Sequence, residues 1–195
     1  MIVLASASPA RAAMLTAAGV SFEAHAAHVD EAAIKSSLVG ERPARVADAL
    51  AELKAVKLSA RFGDRLVLGC DQLLVDAGGA VLDKPGDRDG AALQLRRLMG
   101  AEHRLISAAV IALGGKPIWR AQATATLTMR PLSDVFIAGY LDREGEAIFG
   151  CVGSYRIEAL GAQLFTQVEG DHFTIQGLPL LQLLDYLRVR GELAT

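Results

Sequence analysis

"HRLISAAVIALGGKPIWRAQATATLTM", residues 103–129, decides the fold class. It reads as two long strands joined at Gly114-Gly115, an antiparallel pair. On both sides of it, helix and strand patterns interleave. Upstream, "DRDGAALQLRRLMG" (87–100) is an amphipathic helix closed by Gly100. Before it, "RLVLGCDQLLVD" (65–76) is apolar on both faces, so it belongs at the centre of a sheet. "AGGA" (77–80) is its turn. A long helix is predicted over about 43–62, with Ala47, Leu50, Ala51 and Leu58 on one stripe. "VSFEAHAAHVDE" (20–31) reads as extended, and "MIVLA" (1–5) as a buried strand. "PARAAMLTAAG" (9–19) reads as a helix with Ser8 as N-cap and Gly19 as its stop. Downstream, "LSDVFIAGYLDR" (132–143) is a helix capped by Ser133. "SYRIEALGAQLF" (154–165) reads as a strand and "GLPLLQLLDYLRVR" (177–190) as the closing helix. The sum is a mixed α/β fold, with two lobes around a central cleft as its expected layout. Composition marks no internal boundary, so residues 1–195 are read as a single domain.

Hydrophobic residues make up 52% of the 195, enough for a sizeable core. The net charge of −2 supplies no general basic field for nucleic acid, so a bound anion needs a local cluster. Cys70 and Cys151 sit in apolar stretches without a secreted disulfide pattern, which points to reduced thiols and a cytoplasmic location. No apolar run has the length of a membrane span, and no signal peptide is read at the start.

Five features carry chemistry. In "LASASPARAAML" (4–15), Ser6 and Ser8 add hydroxyls to a helix N-terminus, and Arg11 places a cation where it opposes the helix dipole. A bound phosphate would offset that cost; an ordinary capped turn fits as well. Asp71 stands in a strand without a polar face, so it must be paired, protonated, or poised as a metal ligand or general base. Lys54 lies on the apolar stripe of its helix, between Leu50 and Leu58, where snorkelling is the ordinary explanation. Lys84 is held in "LDKPG" (82–86) by the proline that follows it, and is otherwise a surface lysine. Asp30 and Glu31 form an acidic pair suited to Mg²⁺ or to a solvated turn. His103 opens a strand and carries little weight alone. The set of cations, helix terminus and carboxylates is the equipment for a polyphosphate and a divalent metal.

The whole pattern resembles the Maf proteins, nucleotide pyrophosphatases that share an architecture with inosine triphosphate pyrophosphatases. "LASASPAR" (4–11) resembles the family's serine–proline–arginine loop and "HVDE" (28–31) its acidic turn. "LAELKAVKL" (50–58) supplies the helical lysine, "GCDQLLV" (69–75) the catalytic-aspartate strand and "LDKP" (82–85) the lysine–proline turn. "GCVGSYRIEALGAQLF" (150–165) and "VEGDHFTIQGLPL" (168–180) match the C-terminal half.

The resemblance implies hydrolysis of a nucleoside triphosphate to the monophosphate and diphosphate. By the same resemblance, Asp71 is the proton acceptor, and Ser6, Ser8, Arg11, Lys54 and Lys84 bind substrate. Glu31 and Asp71 would hold a divalent cation, Mg²⁺ or Mn²⁺. Gln72 and Glu158 agree with the branch that hydrolyses 7-methyl-GTP. Ala10 departs from both that branch and the one acting on dTTP and UTP, and Thr174 replaces an amide side chain. A homodimer is implied by resemblance alone; no nucleic acid or membrane partner is expected. The alternatives are dTTP/UTP or broad specificity, or a nucleotide-binding regulator of cell division with little catalysis.

Overall fold

Why residues 65–76 form a central strand is visible in what flanks them. The computed structural model describes residues 1–194, and Thr195 lies outside it. Among the described residues the order is β1 (Ile2–Ala5), α1 (Pro9–Ala17), β2 (Phe22–Ala24), α2 (Glu31–Ser37), α3 (Pro43–Ser59), β3 (Val67–Val75), β4 (Val81–Leu82) and α4 (Arg88–Leu98). Then come β5 (Glu102–Leu113), β6 (Lys116–Met129), α5 (Asp134–Glu144), β7 (Phe165–Glu169), α6 (His172–Ile175) and α7 (Leu180–Val189). The strands hydrogen-bond in the order β2-β1-β3-β5-β6-β7, with β4 paired to the end of β3. β1 runs parallel to β2 and β3, whereas the β3–β4 and β6–β7 pairs are antiparallel. This is the mixed α/β class that the sequence predicts.

The chain divides into two compact units. The first comprises Met1–Gln72, Ile106–Ala123 and the chain from Gln176 onward. Its β1 is buried throughout and lies beside β3 with Val3 opposite Val67 and Ala5 opposite Gly69. α3 buries Ala47, Leu50, Ala51, Ala55 and Leu58, the predicted stripe with one alanine added. Gly69 lets β3 press against that helix. A Cβ there would lie 2.2 Å from the Ala51 carbonyl oxygen and 2.5 Å from the Ala55 nitrogen. α7 buries Leu180, Leu183 and Leu187, and its Tyr186 stacks on Trp119 at 5.1 Å.

The second unit comprises Leu73–Leu105 and Thr124–Ile175. Leu95 and Leu98 of α4, Leu127 of β6 and Tyr140 of α5 are buried in its core. Ser133 caps α5 as predicted, accepting from Phe136 N–H at 3.1 Å. His103 is buried, with Nε2 2.8 Å from the Tyr155 hydroxyl. Burial pushes its pKa down to about 4, so it is neutral near pH 7.

Two expectations need correction. Residues 154–165 are not a strand; turns lead into a 3-10 helix, Leu160–Leu164, and pairing begins only at Phe165. The cause is Glu144. One of its carboxylate oxygens accepts from Arg156 Nε and Nη2 at 2.9 and 2.6 Å, and the other from Leu160 N–H at 3.0 Å. A curled backbone meets those donors together. The stretch 20–31 is extended only at Phe22–Ala24 and ends in a helix, α2. Asp30 caps it through Ala33 N–H at 2.9 Å.

Candidate active site

The start of α1 gathers donors. Pro9 opens the helix and Ser8 accepts from Arg11 N–H at 3.5 Å, a long cap bond. Ser8 N–H donates to Ser6 Oγ at 3.2 Å, and Arg11 Nη1 donates to the same oxygen at 3.2 Å. Arg11 Nε donates to the Gly177 carbonyl at 2.8 Å. Gly177 has φ +98°, a conformation costly for any other residue, and a Cβ there would lie 3.2 Å from Arg11 Nη2. The segment before α7 thus fixes the guanidinium. No acidic residue lies in the first turn of α1, so the cation and the helix dipole are not neutralised there. Ala10 contributes only a methyl group in that turn.

Asp71 on β3 is 6% exposed. Its Oδ1 accepts from Lys54 Nζ at 2.6 Å, and the same ammonium lies 2.7 Å from Glu31 Oε1. α3 carries the lysine, β3 the aspartate and the first residue of α2 the glutamate. The close approach at Gly69 brings the first two together. Burial pushes the Asp71 carboxyl above the usual carboxylate range; Lys54 and Arg11 pull it down, and Glu31 raises it. Lys54 therefore does more than snorkel: its charge makes an ionised Asp71 tolerable in a greasy strand. Burial also pushes the neighbouring Cys70 thiol up to about 11, so it is protonated and inert near neutrality.

The next residue, Gln72, donates from Nε2 to Ser107 Oγ on β5 at 3.2 Å. Ser6, Ser8, Ala10, Arg11, Glu31, Lys54, Asp71 and Gln72 all belong to the first unit, where Arg11 is near enough to Asp71 to pull its pKa down. Sequence reading missed two supports, Gly177 and Ser107. A lone hydroxyl inside "LISAAVIAL" (105–113) was a usable signal for the second.

Lys84 and Glu158 belong to the second unit, and both are exposed. Lys84 lies in the turn between β4 and α4, where Gln94 Nε2 donates to the Asp83 carbonyl at 2.6 Å. Beside it is a shallow hollow of about 290 Å³ that includes Pro85, Gln94 and Arg97. Glu158 sits on the curl organised by Glu144. Thr174 is buried, and its N–H and hydroxyl both donate to the Asp171 carboxylate, so it serves the turn it occupies. Cys70 and Cys151 are free thiols, and among the described residues no helix is long and apolar enough to cross a membrane.

Comparison with known proteins identifies the family. Residues 1–190 match the family model described as Maf-like protein. A nucleoside triphosphate pyrophosphatase of Paramagnetospirillum magneticum is 53% identical over 193 residues, 98% of this chain and 99% of that protein. One from Sphingopyxis alaskensis is 51% identical, covering 97% of each chain. A 7-methyl-GTP pyrophosphatase of Rhizobium johnstonii is 47% identical, covering 98% of this chain and 97% of that protein.

Proposed function

The chain belongs to the Maf-like protein family and is an enzyme, a nucleoside triphosphate pyrophosphatase; from that premise we propose how its first unit performs the reaction. Water attacks the α-phosphorus. The new P–O bond forms as the bond to the bridging oxygen of the β-phosphate breaks, giving nucleoside monophosphate and diphosphate. Asp71 takes the proton from the water. Arg11, Lys54, Ser6, Ser8 and the N–H groups at the start of α1 hold the phosphates and the charge that develops on the leaving diphosphate. One observation carries this reading: a single ammonium, Lys54 Nζ, is within 2.7 Å of carboxylates from two different elements. That lysine favours the charged form of a buried base, against the desolvation that raises its pKa.

The donor chemistry fits Mg²⁺ or Mn²⁺. Asp71 and Glu31 offer hard carboxylate oxygens, and their carboxylates converge on one cation. Among the described residues no group of three or more His, Cys, Asp or Glu is arranged to hold an ion, so Asp71 and Glu31 would hold it together with substrate. When bound, the ion neutralises charge on the phosphates.

Modified nucleotides such as 7-methyl-GTP are the proposed substrates. The similarity to the Rhizobium johnstonii protein supports this, as does the resemblance of Gln72 and Glu158 to the branch that hydrolyses 7-methyl-GTP. Glu158 is suited to accept from the N–H edge of a guanine. The roles of Glu158 and Lys84 rest on the resemblance, as does a homodimer. Two free thiols and the absence of a basic field support a cytoplasmic enzyme without a nucleic acid partner.

Phosphorus NMR with Mg²⁺ and a panel of 7-methyl-GTP, GTP, dTTP and UTP tests the reading. Diphosphate plus monophosphate is the expected product pair, with 7-methyl-GTP turned over fastest. Release of single phosphate overturns the reaction, and tight binding without products favours a nucleotide-binding regulator.

A further inference from the structure

Residues 25–31 link β2 to α2 and run antiparallel to α3 and the turn after it. Three rungs mark the register. The His25 ring packs on Phe62 at 5.0 Å, Lys57 Nζ donates to the His28 carbonyl at 2.6 Å, and Glu31 pairs with Lys54 at 2.7 Å. Each step of three residues forward in the segment is a step of three to five back along α3. Between the rungs, Ala27 and Val29 pack into the cluster of Val3, Ala5, Leu58 and Val67. His28 faces outward between them with φ +45°, a left-handed conformation uncommon outside glycine and tolerated by histidine. The charged donor on its carbonyl ties this bend to α3. Immediately after the bend, Glu31 N–H donates to the Val29 carbonyl at 3.1 Å, and α2 begins.

Lys54 and Lys57 are three residues apart and so share one side of α3. One grips the side chain of Glu31 and the other grips the backbone three residues before it. We infer that Lys57 is a positioning residue: by pinning the bend at His28 it sets the reach of Glu31 to Lys54, and through Lys54 the placement of Asp71. Lys57 itself touches neither Asp71 nor the reacting atoms. This inference rests on the reading of Asp71, Lys54 and Glu31 given above.

The test uses the full chain and the best substrate of the nucleotide panel, with K57M, K57R, E31Q and the K57M/E31Q pair. In K57M, amide hydrogen exchange over residues 26–31 quickens about tenfold or more, since the bend has lost its tie. Its kcat falls about 5- to 20-fold while KM rises less, because placement of the reacting groups suffers while Arg11, Ser6 and Ser8 still hold phosphate. K57R can still donate to the carbonyl and restores both readouts. The K57M/E31Q pair is no slower than E31Q alone, since Lys57 acts through Glu31. Unchanged exchange in K57M, failure of K57R to rescue, or full additivity with E31Q overturns the role of Lys57. Turnover by D71N at the wild-type rate is a different failure: it removes the reading of the site and the catalytic consequence with it.

Discussion

Asp71 in the first unit and Glu144 in the second are each 6% exposed, yet they are held in opposite ways. Both oxygens of Glu144 are engaged, one by the forked donors of Arg156 and one by Leu160 N–H. That carboxylate shapes a turn and is fully occupied in doing so. Asp71 is held at Oδ1 by a lysine that Glu31 also claims. A shared ammonium on a flexible stem can be drawn away by phosphate; a bidentate guanidinium cannot be drawn away so readily. Equal burial therefore says little about role, and the identity and sharing of the partner say more.

The largest effect that would break this contrast is at Asp71. D71N should keep the fold, seen by circular dichroism, and lose about a thousandfold or more in diphosphate release, the scale of a missing general base. Retained turnover would make Asp71 structural, like Glu144. Next comes His103, which belongs to the second unit and is kept neutral by burial. Folded His103 takes a proton only near pH 4, while an unfolded histidine takes one near 6.5. The unfolded chain binds more protons between those values, so stability falls as pH drops through that window, by roughly 2–3 kcal/mol. Urea unfolding of wild type and H103Q at pH 7 and pH 4.5 measures it, and the slope should flatten in H103Q.

E144Q should cost about 2 kcal/mol, since a buried acceptor for Arg156 loses its charge while the exposed side of that arginine stays hydrated. Chemical denaturation reads the loss, and kcat of the folded fraction should stay within about twofold. The smallest effect compares two serine caps. S133A should destabilise by about 1 kcal/mol and leave catalysis alone. S8A, whose cap bond is already long at 3.5 Å, should destabilise less and raise KM. Equal behaviour of the two would remove the claim that the first serine faces phosphate.

Much of this was written locally. Ser8, Pro9 and Ser133 are helix-start signals that act within one turn, so the caps were legible. Asp71 stood out because no polar face surrounded it. α2 carried legible signals too, with Asp30 at its cap, Glu31 in its first turn and Lys35 in its last, but a run of alternating small residues masked them. What stayed hidden depends on distant partners. Arg11 meets the Gly177 carbonyl across 166 positions, and no local pattern encodes that. The apolar alternation in 154–165 mimics a strand, and the residue that curls it is Glu144, outside the stretch. For Lys54 the apolar stripe suggests only snorkelling and the resemblance only substrate binding; its partners Glu31 and Asp71 lie on other elements, which no local pattern encodes.

Gly69 has a consequence for anyone redesigning this enzyme. The separation between its strand and the lysine-bearing helix is fixed by a hydrogen atom where other residues carry carbon, with an acceptor oxygen 2.2 Å from where that carbon would go. Even alanine there acts as a wedge. Libraries meant to retune substrate choice should hold that codon constant, because a methyl group introduced behind the reacting centre would move the acid and its amine apart before any change at the nucleobase could be felt.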